Sequence, residues 1–175
     1  MSIYGFKINY LIKLIILTLG SLITNIAISS TLTIDSQERD INSTCVSYLG
    51  QIEESYGLSG LNITFAHPSD PSLLPSLHIS TKNYNNGSST FSATLSPDGD
   101  HCYISTVVVT SVNNQSCEAI TSLKKEESPS LKEITYADGA FTILSPPDNS
   151  YQLILTVTGE NGCTLTETRM LWPGK

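Results

Sequence analysis

Past Gly60 the apolar residues of this chain stop recurring every three or four positions and begin to alternate in short runs between turn signals. Side chains return to one face of a helix every 3.6 residues and to one face of a strand every second residue, so this change of period divides the chain into a helical part and a sheet. Ahead of it, Ile41, Cys45, Tyr48, Ile52 and Tyr56 form one stripe of an amphipathic helix expected over 36–56. Asp35 or Ser36 can cap its start and Gly57 its end, while Glu38, Arg39, Ser43, Glu53 and Glu54 belong to the opposite, wet face. Beyond it, strands are expected near 61–66, 77–83, 89–96, 102–112, 117–123, 131–136, 140–145, 151–158 and 163–171. Turn chemistry such as Asn85-Asn86-Gly87, Pro97-Asp98-Gly99-Asp100 and Gly159-Glu160-Asn161-Gly162 separates them. The fold class this implies is α+β: one N-terminal helix packed on an antiparallel assembly of about eight strands.

Turn positions also predict register. Centring the hairpins on Asn86 and between Asp98 and Gly99 puts Leu77, Ile79, Phe91, Ala93, Leu95, Ile104 and Val108 on one face and His78 on the other, exposed. The run Val107-Val108-Val109 suggests a strand covered on both faces. Two stretches share an order of landmarks, Tyr84, Gly87, Leu95, Tyr103, Cys117 against Tyr136, Gly139, Leu144, Tyr151, Cys163. They read as two four-stranded meanders, 77–123 and 131–171, joined by a charged linker over 124–129. The competing reading is that turn chemistry reuses the same residues in any β protein.

Residues 1–29 combine Lys7 and Lys13, no acidic residue and an apolar run, the layout of a secretory signal peptide. Ala27 and Ser29 supply the small residues of a cleavage site, so that 30–175 forms a single exported domain. The alternative is an uncleaved anchor, since Leu11 to Ile28 spans 18 residues. All four cysteines, Cys45, Cys102, Cys117 and Cys163, lie beyond the leader and read as two disulfides in a secreted or periplasmic protein. An extended strand over 102–112 would hold Cys102 and Cys117 about 30 Å apart, too far for a bridge unless the strand bends. Of the two pairings left, Cys45–Cys102 with Cys117–Cys163 is preferred, because the second bond would link equivalent places in the two meanders.

The chain carries 9 basic against 16 acidic residues, and the leader takes two of the basic ones with it. Without a Lys/Arg surface no nucleic-acid partner is expected, nor a membrane partner once the leader is cleaved. Serine and threonine together number 44 of 175 residues, a composition suited to strands and turns. No cofactor or metal motif is present: His67, His78 and His101 lack metal-ligand spacing, and the Asp98, Asp100, His101 cluster lacks the order of a calcium loop. There is no G-x-S-x-G elbow, and the carboxylate pairs at 53–54 and 126–127 fall on a wet helix face and a linker, so no catalytic residue is assigned. Sequons occur at Asn42, Asn62, Asn86 and Asn114. The segment from His67 to Pro75 reads as a stiffened crossing loop with Leu73 and Leu74 tucked inward, and Leu171-Trp172-Pro173 as a packed end of the last strand. The leading expectation is a non-catalytic exported binding protein with a protein or glycan partner, contacted through loops or a sheet surface. The alternatives are a small secreted enzyme with a site assembled from distant residues, and a membrane-anchored accessory protein that retains residues 1–29.

Overall fold

The computed structural model describes residues 31–171; the expected leader over 1–29 and Trp172 lie outside them. The expected single helix over 36–56 is two. Helix α1 (Leu32–Glu38) is capped by Thr31, whose side chain accepts the Ile34 N–H. Asp40 then takes a left-handed conformation (φ 55°), and Asn42 starts helix α2 (Ser43–Tyr56) by accepting the N–H groups of Thr44 and Cys45. An Asn that can satisfy two orphan donors favours a helix start over a helix interior, which is why the apolar stripe is interrupted there. Gly57 ends α2 in the left-handed region, as its position after the stripe predicts.

Eight antiparallel strands follow: β1 (Leu61–Phe65), β2 (Ser76–Tyr84), β3 (Gly87–Asp98), β4 (His101–Val112), β5 (Lys132–Tyr136), β6 (Phe141–Ser145), β7 (Tyr151–Thr158) and β8 (Gly162–Leu171). Between β4 and β5 lies helix α3 (Cys117–Glu127), where the alternation had suggested a strand over 117–123 and a linker. Ser116 caps α3, Glu118 sits in its first turn and Lys124 and Lys125 in its last, all favourable to the helix dipole. Its buried residues, Cys117, Ile120 and Thr121, have helical spacing.

The strands form one sheet in the order β1-β2-β3-β4-β8-β7-β6-β5. The fold is therefore α+β, with two helices then four strands in the first half, one helix then four strands in the second, and the halves meeting where β4 pairs with β8. One disulfide joins Cys45 near the start of α2 to Cys102 near the start of β4; the other joins Cys117 at the start of α3 to Cys163 near the start of β8. Equivalent places are thus Cys45 with Cys117 and Cys102 with Cys163, which shifts the repeat inferred from Tyr and Gly landmarks by one element. Cys163 lies 61 residues beyond Cys102, and Val107 pairs across the seam with Thr168, also 61 residues beyond it. A pseudo-two-fold axis perpendicular to the sheet therefore passes through that pair.

An axis of this kind keeps α2 and α3 on one side of the sheet. Two apolar clusters lie beneath them: Leu32, Leu49, Phe91, Leu95 and Ile104 around the first disulfide, and Ile120, Leu131, Leu144, Leu153 and Leu155 around the second. Register decides which residues join them. The β2–β3 turn is the two-residue Asn85-Asn86, pairing Tyr84 with Gly87 and His78 with Ala93. That is one residue from the expected register, so His78 faces the core, fully buried, while Leu77 and Ile79 face the other side. The β3–β4 hairpin is displaced by two, pairing Leu95 with Ile104, and an even slip preserves the face. Val108 meets the helices, whereas nothing among the described residues covers Val107 and Val109.

Candidate functional site

Three places could carry function: the buried histidine, the helix face between the two halves, and the uncovered face of the sheet. His78 is held on both ring nitrogens. Ser36 Oγ donates to the Leu32 carbonyl at 2.6 Å, so at 3.2 Å it accepts from His78 Nδ1, leaving Nε2 to accept from Ser76 Oγ at 2.8 Å. Thr64 Oγ1 lies 3.5 Å from Nδ1. Burial pushes the His78 pKa from 6.5 down to about 4, against a smaller opposing pull from Asp35. Neutral, satisfied and without an opening to solvent, this imidazole is a structural plug between α1 and the sheet.

Glu53 does similar work. Expected on a wet face, it is buried, and its carboxylate accepts the N–H groups of Leu32 at 2.8 Å and Thr33 at 3.2 Å and the Thr33 hydroxyl at 2.6 Å. It thereby caps α1 from α2, an arrangement that only the break at Asp40 makes possible.

Between the halves, on the helix side of the seam, Tyr56 Oη donates to Glu167 at 3.2 Å and Arg169 Nε to the same oxygen at 2.7 Å. The Arg169 guanidinium lies 4.8 Å from the centre of the Tyr151 ring. Burial, and then the Glu167 charge, raise the Tyr56 pKa above 10.0. The cluster ties α2 to β7 and β8 with its charges already paired. A groove of about 500 Å3 has Tyr56 and Arg169 of this cluster in its wall, together with Tyr48, Ile52, Ile104 and Leu171 and the polar Gln51 and Ser55. A wider groove of about 700 Å3 runs along α3 and is crossed by the Lys125–Glu133 ion pair at 2.8 Å. No histidine lines either.

The remaining histidines stay apart from these grooves. His101 is exposed at the β3–β4 turn with Asp98 and Asp100, and His67 is exposed after β1, its Nδ1 accepting the N–H groups of Ser69 and Asp70. Among the described residues no group of three metal-ligating side chains forms. Glu126 and Glu127 belong to the end of α3. Leu73 is 71% exposed, so the loop from His67 to Pro75 does not tuck it inward. Asn42 caps α2, Asn86 sits in the β2–β3 turn and Asn114 takes a positive φ before α3.

The uncovered face has a composition of its own. Its centre, on β3, β4 and β8, presents Ser92, Thr94, Ser105, Val107, Val109, Thr164, Thr166 and Thr168. Its two ends are apolar: Leu61, Ile63 and Phe65 of β1 beside Leu77 and Ile79, and Ile134 and Tyr136 of β5 beside Phe141, Ile143 and Ile154. The ends correspond through the pseudo-two-fold, and their sequences share Ile-Thr-aromatic, Ile63-Thr64-Phe65 against Ile134-Thr135-Tyr136. Only Lys132 on the edge strand and Asp98 at a hairpin tip carry charge at strand positions facing this way. No family model matches the chain, nor does any curated protein or solved structure.

Proposed function

We propose that this chain is an exported, non-catalytic interaction module whose contact surface is the uncovered face of its sheet. The observation that carries this reading is the near absence of charge on that face in a chain holding 16 acidic and 9 basic residues. A face meant only for water would share in that charge; one depleted of it and carrying Leu61, Phe65, Ile134 and Tyr136, each more than half exposed, is suited to being covered. The two disulfides are consistent with an oxidising, extracellular or periplasmic environment. No helix among the described residues is long and apolar enough to cross a membrane.

The test is capture of surface or secreted material by immobilised oxidised protein, comparing Thr166→Lys on the uncovered face with Glu118→Lys on the exposed side of α3. Loss of captured species with Thr166→Lys alone supports the reading. Retention of every species by Thr166→Lys, or loss only with Glu118→Lys, overturns it.

A further inference from the structure

The uncovered face is itself two-fold symmetric, and this suggests what covers it. We propose that it packs face to face against a second copy of the chain, forming a two-sheet sandwich dimer; the inference rests on the reading of this face as the contact surface. Eight strands spaced by ~4.8 Å, averaging about eight residues at ~3.3 Å each, make a face of roughly 38 by 27 Å. That is on the order of 1,000 Å2, against the roughly 800 Å2 per partner that a stable complex buries.

Chemistry selects a copy of the same chain over an unlike partner. A two-fold axis lying in the interface sets each end of one face against an end of the other. Because both ends are apolar, Leu61, Ile63 and Phe65 meet apolar residues whether the partner presents its own β1 or its β5. The Ser/Thr/Val centre then opposes itself, and the acidic residues other than Asp98 at the β3–β4 hairpin tip, carried by helices, loops and helix-facing strand positions, stay outside the contact. Two twisted sheets can pack in this way at the usual angle of about −30°.

Full overlap brings the pseudo-axis pair, Val107 with Thr168, onto its counterpart in the partner, so position 107 probes the contact directly. Sedimentation equilibrium of oxidised wild-type protein should give a dimer at about 100 µM, where a Kd of 1 µM leaves nearly all chains paired. Val107→Lys should weaken association more than about 100-fold, since it sets like charges together in a desolvated contact. Mixing Val107→Lys with Val107→Glu should restore the dimer, a result that misfolding would not give. A dimer indifferent to Val107→Lys, or a mixture that stays monomeric, overturns the inference. If the wild-type protein is monomeric and Val107→Lys abolishes capture of surface or secreted material, the inference fails while the reading of the face stands. If it is monomeric and capture is unaffected, both fail.

Discussion

At the residue scale, two buried polar side chains hold α1 in place, and each makes a measurable claim. The folded-state pKa of His78, about 4, lies below its ordinary 6.5, so the unfolded chain binds the proton more readily between those values. Its contribution is fully present above pH 6.5 and is lost as the pH falls toward 4, to a total on the order of 3 kcal/mol. Urea unfolding across that window should show the slope in the wild type and a flattened slope in His78→Gln; an unchanged slope would assign it to another group. Glu53→Ala should cost about 2 to 3 kcal/mol, because the carboxylate accepts charge-assisted bonds from two otherwise orphaned N–H groups at a helix start. Neither role was legible in the sequence. His78 alternates with two apolar neighbours, Leu77 and Ile79, and a one-residue difference in turn position decides which set is inside. Glu53 continues the buried line of Val46 and Leu49 on its own helix, off the stripe of Ile41, Cys45, Tyr48, Ile52 and Tyr56 that the sequence suggests, and its carboxylate is satisfied there because a separate helix docks its N-terminus on it.

At the element scale, each half is closed by a bond from the first turn of its helix to its last strand. The separations are 57 and 46 residues, for which chain-entropy arguments give about 4 kcal/mol each. Cys117→Ser with Cys163→Ser should lower stability by roughly 2 to 5 kcal/mol, read by thermal or denaturant unfolding. Ser116→Ala, which removes the α3 cap, should cost about 1 kcal/mol by the same measurement. Helix α3 is marked in the sequence by Ser116, by the helical spacing of Cys117, Ile120 and Thr121, and by the acidic-to-basic order of its charges. Eleven residues between many short strands look like one more strand when only alternation is counted. The edge strands β1 and β5 have five residues each, short enough to offer little template for edge-to-edge pairing.

At the scale of the whole molecule, two halves with separate cores share the β4–β8 seam and the Tyr56–Glu167–Arg169 bridge. Reduced stability should therefore appear locally. In the Cys117→Ser, Cys163→Ser protein, amides of β5, β6 and β7 should exchange faster while those of β2 and β3 keep their protection, as hydrogen exchange by mass spectrometry would show. Uniform acceleration would mean that the halves unfold as one unit. Local pattern by itself determined that the chain combines helix with antiparallel strands, where most hairpin turns fall, and which cysteine pair a long strand must keep apart, since propensity and turn chemistry act over a few neighbouring residues. Tertiary structure alone decided the strand order, the choice of inward face on β2, and the gathering of the three described helices on one side. These follow from how β4 meets β8 across more than fifty residues of chain and from where the helices can bury their stripes, and no local window contains either fact.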